Sequence, residues 1–372
     1  MTDTDLPAPD QAPGAPHPRE TRQLFGQDQA QADFLSAFTT GRMHHGWLLT
    51  GPEGVGKATL AWRIARFLLA TPPQEDDGLF GAPPPPATLD IDDDHPVARR
   101  ILAGGEPGLA AVTRSANDQG RMRDQIVVDD VRKLTRFFGL SAADGGHRVV
   151  IVDAADEMNT SAANALLKML EEPPARTTIL LVSHQPTRLL PTIRSRCRTL
   201  RLGPLSPGDM TRALQQAGAD LPDDTEALSA LAAGSVGAAL RLLALDGLDQ
   251  YDRLVALLGT LPRLDRQSAL KLAEAASGRG AADHFDQLLT LVDILLARLA
   301  RTGATGQPPH PQAARNEAEI LARLAPDPHK ARAWAALAST VSARGRHGQA
   351  VNLDPAALVL DTVFKIQETA AG

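Results

Sequence analysis

The sequence predicts an α/β domain whose parallel sheet is built around a phosphate-binding loop, followed by helical domains. Three observations carry this. The glycine-rich run Gly51-Pro-Glu-Gly-Val-Gly-Lys57 lies between a strand-like apolar run, Trp47 to Thr50, and a helix-like run, Thr59 to Leu69. Strand-like and helix-like segments then alternate as far as Leu202, the pattern of parallel strands joined by crossover helices. After Pro204 only helical periodicity continues.

Taken in order, the first 19 residues carry Pro7, Pro9, Pro13, Pro16 and Pro18 among small and acidic residues. That composition predicts a flexible tail over 1–19. Order is expected from Leu24-Phe25-Gly26-Gln27, with a helix from Gln29 to Thr39 and a strand entering the loop from His45 to Thr50. Residues 71–98 contain the proline run Pro83 to Pro86 and the acidic run Asp92-Asp93-Asp94. Such a segment has little apolar surface to bury and reads as an exposed insertion. Periodicity resumes with Leu109 to Thr113. A strand is expected over Gln125 to Val128, leading into a helix over Asp129 to Phe138.

Arg148 to Asp153 is a continuous β-branched run, as a strand covered on both faces requires. Asn159 to Glu172 is helical, with Ala163, Leu166, Leu167 and Leu170 on one face, and Pro173-Pro174 end it. Thr178 to Val182 and Cys197 to Leu202 supply two more strands. Ser206 to Gly218, Thr225 to Ala233 and Val236 to Leu245 read as short helices. The remainder is Ala/Leu-rich helix, interrupted by Gly and Pro from Thr302 to Gln312.

A chain of 372 residues exceeds what one compact core organises, so two or three domains are expected. The net charge of -6 argues against wholesale nucleic-acid binding by charge alone. Its one cysteine, Cys197, excludes an internal disulfide and a cysteine-based zinc cluster within the chain. A reducing, cytoplasmic setting fits. No apolar run is long enough to span a bilayer, so no membrane partner is expected.

The loop matches G-x-x-x-x-G-K. Backbone N–H groups of such a turn and the positive helix end face phosphate, and Lys57 would lie against the terminal phosphates. The candidate nucleotide residues are Gly51, Gly54, Val55, Gly56, Lys57, Ala58 and Thr59. The position after the lysine ordinarily supplies a magnesium-binding hydroxyl, and here it is Ala58. Thr59 lies one place on, roughly 100° round the helix. Asp153 ends its strand where the acid that orients magnesium-bound water is expected. The carboxylate that would polarise the attacking water is replaced by Ala154. Asp156 reads as a turn or helix cap. Ser183 ends another strand, as a phosphate-sensing hydroxyl or as one bonded to backbone. Trp47 and Trp62 read as core, and Cys197 as a small buried hydrophobe.

Three stretches, Val152-Asp-Ala-Ala-Asp-Glu-Met-Asn159, Ala162-Ala-Asn-Ala-Leu-Leu-Lys-Met-Leu-Glu-Glu-Pro-Pro174 and Leu189-Leu-Pro-Thr-Ile-Arg-Ser-Arg-Cys197, together resemble the bacterial DNA polymerase III clamp loader, a branch of the AAA+ ATPases. The resemblance covers about residues 20–245. It implies an AAA+ P-loop domain over 20–203, a small helical lid over 204–247 and an all-α collar over 248–372. It also implies that Arg196 is a catalytic arginine acting in trans, on ATP held by the next subunit. Gly237 stands where the lid of an active subunit carries a phosphate-touching arginine. With Ala58 and Ala154 it points to a chain that is not a self-sufficient ATPase and binds ATP or ADP weakly. The insertion at 71–98 replaces a four-cysteine module of many relatives, so no zinc or other metal is expected. Implied partners are the tau/gamma ATPases and delta, with the sliding clamp and primed DNA reached through the complex. The alternatives are a motor-type AAA+ ATPase and an unrelated P-loop kinase.

Overall fold

The computed structural model describes residues 8–12, 14–71, 84–139, 146–277 and 281–372. They form two compact units, one of residues 1–218 with 235–237 and the other of 219–234 with 238–372. The division between them falls inside the expected lid.

In the first unit the elements are α1 (Asp28–Thr39), β1 (Gly46–Thr50), α2 (Lys57–Ala70), α3 (Pro96–Leu102), β2 (Leu109–Val112), α4 (Val128–Gly139), β3 (Arg148–Val152), α5 (Thr160–Glu171), β4 (Thr177–Ser183), α6 (Pro191–Arg194), β5 (Arg198–Arg201) and α7 (Pro207–Gln216). The five strands form one parallel sheet in the order β2-β3-β4-β1-β5, the expected architecture. Side chains alternate across it. Leu48 joins Val150, Val152, Ile179 and Leu181 in a core closed by Leu134, Leu166 and Leu170 of α4 and α5. Trp47 is fully buried and meets Phe34 of α1 at 5.0 Å between ring centroids. Trp62 of α2 is buried as well. Asn159 caps α5 by accepting from the Ala162 amide at 2.9 Å, which satisfies one of the helix's unpaired donors.

Three expectations are corrected. Gln125 to Val128 is not a strand. Ile126 makes only an isolated bridge to Met158, and pairing stops there because the next amide, Val127, donates to the Asp130 carboxylate and the Val127 carbonyl accepts from the Asp130 amide. The helix begins at Val128, where Asp129 and Asp130 suit the positive first turn. Second, the edge of the expected insertion is structured. Leu89 is buried, Asp90 pairs with Arg63 at 2.7 Å, and α3 starts at Pro96 with His95 as its cap. Residues 72–83 of that stretch, like 1–7 and 13 of the expected tail, lie outside the described residues. Third, the break expected from Thr302 begins later, as given below.

Residues 14–20 lie against α2. His17 is buried edge-on against Trp62, and the Arg19 carbonyl accepts from Arg66. Arg66 is thereby drawn inside, and Arg63, also buried, is held by the Arg22 carbonyl and Asp90.

The second unit is all helical among its described residues: α8 (Thr225–Ala232), α9 (Val236–Ala244, whose first two residues cluster with the other unit), α10 (Gly247–Gly259), α11 (Arg266–Ala275), α12 (Ala281–Thr305), α13 (Glu317–Leu324), α14 (Pro328–Ala350) and α15 (Pro355–Ala371). Helix α12 continues through Gly303, where a Cβ would meet the Asp327 carbonyl at 2.7 Å. This glycine serves close approach to the start of α14 rather than a break. Among the described residues no single helix is long and apolar enough to cross a membrane.

Candidate functional site

The carboxyl ends of β1, β3 and β4 meet at one edge of the sheet, the usual ligand edge of a parallel α/β domain. Thr50, which precedes the loop, is in register with Ser183 at the end of β4. Asp153 follows β3 directly, its amide bonded to the Val112 carbonyl at 3.0 Å. The sheet therefore brings Gly51 to Thr59, Asp153 and Ser183 together.

The loop's backbone requires its glycines. Gly51 has φ of 149°, and a Cβ there would overlap the Leu202 carbonyl. Gly54 has φ of 74°, and its Cβ would collide with Ser235 and lie 2.9 Å from the Gly237 amide. Gln27, read from sequence only as part of the onset of order, braces this loop. Its amide group donates to the Val55 carbonyl at 3.2 Å and the Gly203 carbonyl at 2.8 Å, and it accepts from the Gly203 amide. Val55 is buried beneath the turn.

Lys57 opens α2 and is 3% exposed. Its ammonium donates to the Gly51 carbonyl at 2.9 Å and to the Pro52 carbonyl. Burial pushes the lysine down to about 8, against the pull of Asp153, Glu53 and Asp156. Ala58 and Thr59 follow within the first turn of α2. The loop amides and Lys57 fit the oxygens of a polyphosphate, whereas Ala58 offers magnesium no ligand.

Asp153 is 9% exposed, and Ala154 beside it is buried. Burial pushes Asp153 up to about 7. The Asp10 carboxylate adds to this and Lys57 opposes it, with smaller upward contributions from Glu157 and Asp156. An acid with a folded-state pKa above its unfolded value holds its proton more tightly when folded. Its contribution to stability is then greatest below about pH 4 and falls as pH rises to about 7. Asp153→Asn is expected to raise the midpoint of thermal unfolding at pH 8 and to leave it nearly unchanged at pH 4. Equal shifts at both pH values would contradict the buried-acid account.

Asp156 is not a helix cap. Its two carboxylate oxygens accept from the His184 and Gln185 amides, each at 3.0 Å, and so tie the segment after β3 to the end of β4. Glu157 pairs with Arg114 at 3.0 Å. Ser183 is fully buried, and its Oγ has no hydrogen-bond partner among the described residues. The backbone-bonded alternative for this hydroxyl is not observed.

Arg196 lies at the other edge of the sheet. It precedes β5, and a Cβ on Gly46, the first residue of β1, would meet the Arg196 carbonyl at 3.0 Å. Strand β1 spans five residues, about 13 Å at roughly 3.3 Å per residue. The guanidinium donates through Nη1 to the Thr192 carbonyl at 3.1 Å and pairs through Nη2 with Glu171 at 3.0 Å. Its side chain is 38% exposed. Glu171 closes α5 at the negative end of the helix dipole, and the Arg196 guanidinium offsets its charge there. Cys197 is half-buried, and burial pushes its thiol up to about 12, so it stays un-ionised at neutral pH.

A family model described as "DNA polymerase III, delta subunit" matches residues 26–206. The chain is similar to "DNA polymerase III subunit delta'" of Pseudomonas aeruginosa, at 39% identity over 41% of each chain. It is similar to the protein of the same name from Escherichia coli K12, at 34% identity over 46% of each. It is also similar to "DNA polymerase III subunit gamma/tau" of Mycobacterium tuberculosis, at 29% identity over 55% of this chain and 33% of that one. The matches span less than half the length of these curated relatives.

Proposed function

From the match of residues 26–206 to the family model described as "DNA polymerase III, delta subunit", we propose that the chain is a delta-prime-type subunit of the DNA polymerase III clamp loader. In this reading it takes part in ATP-driven loading of the sliding clamp onto primed DNA during replication. Its partners are the tau/gamma ATPases and delta, and it meets clamp and DNA through the assembly. Arg196 serves the ATP of the neighbouring subunit.

One observation carries the reading. Arg196, half-exposed, lies at the amino edge of the sheet, about 13 Å of strand away from the chain's own phosphate loop. A guanidinium so placed cannot touch a phosphate bound at Lys57. A neighbour's phosphate is the ligand consistent with its position. A planar, permanently charged fork suits the charge spread over a transferring phosphoryl group. Weak chemistry in cis is supported by Ala58 and Ala154, which supply neither the magnesium hydroxyl nor the water-polarising carboxylate, and by Gly237, which brings no cation from the lid.

The isolated chain is expected to hydrolyse ATP at the background rate, with Lys57→Ala changing nothing, while the assembled loader turns over ATP in response to primed DNA. Brisk hydrolysis by the isolated chain, abolished by Lys57→Ala, would overturn this reading in favour of a motor-type ATPase.

A further inference from the structure

Glu171 and Arg196 meet where three segments of the chain converge. Gly46 opens β1, and a Cβ there would stand 3.0 Å from the Arg196 carbonyl, 3.0 Å from Leu170 Cδ2 and 3.1 Å from Cys197 Sγ. A side chain at 46 would press the end of α5 and the approach to β5 apart. His45, beside it, donates through Nε2 to the Leu170 carbonyl at 3.0 Å, and the Leu170 side chain is buried in the core. Glu171 is the next residue and the last of α5. The backbones that carry the carboxylate and the guanidinium are therefore held in place by His45, Gly46 and the core, independently of the ion pair itself.

On this fixed base the arginine is held at two points. Nη1 donates to the Thr192 carbonyl at 3.1 Å, and Nη2 lies 3.0 Å from Glu171 Oε1. A guanidinium has five N–H donors in one rigid plane, so contacts at both terminal nitrogens set the tilt of that plane and leave donors for a phosphate. A side chain already held in one orientation also loses less rotamer freedom when its ligand arrives. Helix α5 gains nothing from Glu171, because a carboxylate at the negative end of the dipole weakens a helix. The arginine accounts for the acid where the helix does not.

We propose that Glu171 is a positioning residue for Arg196, its carboxylate holding the guanidinium in the orientation in which it meets the phosphate of a neighbouring subunit. This rests on the reading of Arg196 as acting in trans. In this role Glu171 touches no phosphate and acts only through the arginine.

The test reconstitutes the loader with the natural chain, with Arg196→Ala, with Glu171→Ala, with Glu171→Gln, and with Arg196→Ala combined with Glu171→Ala. Single-turnover hydrolysis on primed DNA is followed as a function of ATP concentration. Glu171→Ala is expected to slow the maximal rate at the interface that Arg196 faces about tenfold, the scale of loss that a small misplacement of a reacting group brings. The ATP concentration giving half that rate should not move. Glu171→Gln, which keeps an acceptor oxygen at the same reach, is expected to recover part of the loss. In the Arg196→Ala background Glu171→Ala is expected to change nothing, as for two groups that act as one. A full Glu171 effect in that background would overturn the positioning role. So would a maximal rate that Glu171→Ala alone leaves unchanged or raises, or a loss confined to the half-maximal ATP concentration. No effect of Arg196→Ala would overturn the reading in trans and this inference with it.

Discussion

Alanine in place of Arg196 is expected to slow ATP hydrolysis at one neighbouring interface of the assembled loader by roughly 10³-fold or more, the lower end of what such arginines supply. The size follows from electrostatics. Charge develops on the transferring phosphoryl oxygens in a pocket from which water is largely excluded, where a positioned guanidinium acts far more strongly than in bulk solvent. Single-turnover hydrolysis by the reconstituted complex on primed DNA measures it. Arg196→Lys should recover little, because an ammonium keeps the charge and loses the fork. Folding of the chain should hardly change. The Arg196–Glu171 pair is more than one-third exposed on both sides, and such pairs contribute about 0–1 kcal/mol. A loss of turnover without a loss of stability separates a functional arginine from a structural one.

Glu317→Ala is expected to destabilise the second unit by about 3–5 kcal/mol, the usual cost of removing one partner of a buried charge pair. Glu317 is 1% exposed. It accepts from Arg298 Nε at 2.7 Å and Nη2 at 2.9 Å, from the Tyr251 hydroxyl at 2.7 Å and from the Ala313 amide at 2.6 Å. One carboxylate thus joins α10, α12 and the start of α13. Its removal leaves the Arg298 guanidinium, 12% exposed, without its counter-charge. The Tyr251 phenol, whose ionisation burial pushes well above the ordinary range, loses its acceptor. Urea unfolding followed by circular dichroism should show an earlier transition for the helical unit. Because residues 248–372 of that unit are the collar that the resemblance implies, assembly with the partner subunits should fail in parallel. A change under 1 kcal/mol would mean that Arg298 finds another acceptor, and that the carboxylate is not what holds these helices together.

The parts of the fold readable from sequence were those fixed by local rules. The β-branched run at 148–152 is strand because both faces of the sheet are covered. Pro173-Pro174 ends α5 close to where periodicity said it would. The loop at 51–57 announced itself because only glycine tolerates its backbone. Local rules also misled. Ile126 and Val127 have strand-forming side chains, but the Asp130 carboxylate takes the Val127 amide and the helix starts there. Gly303 has the residue type of a helix break and serves a helix contact instead.

The candidate site divided in the same way. That Lys57, Asp153 and Ser183 lie at one edge of the sheet was legible because the ends of parallel strands are predictable places. The roles of Glu171 and Gln27 were not, because each acts on a partner with no fixed spacing in sequence. Glu171 waits for an arginine on another loop, and Gln27 reaches across to Gly203. The proline-rich start of the chain looked featureless by composition, and composition says nothing of where a single buried His17 will anchor.

The most direct test is the position of the Arg196 guanidinium in a structure of the assembled loader with a non-hydrolysable ATP analogue and primed DNA. The account predicts its nitrogens within hydrogen-bond distance, about 2.7–3.0 Å, of the terminal phosphate held by the adjacent subunit. A guanidinium still paired only with Glu171 and facing solvent, with no phosphate near it, would contradict it.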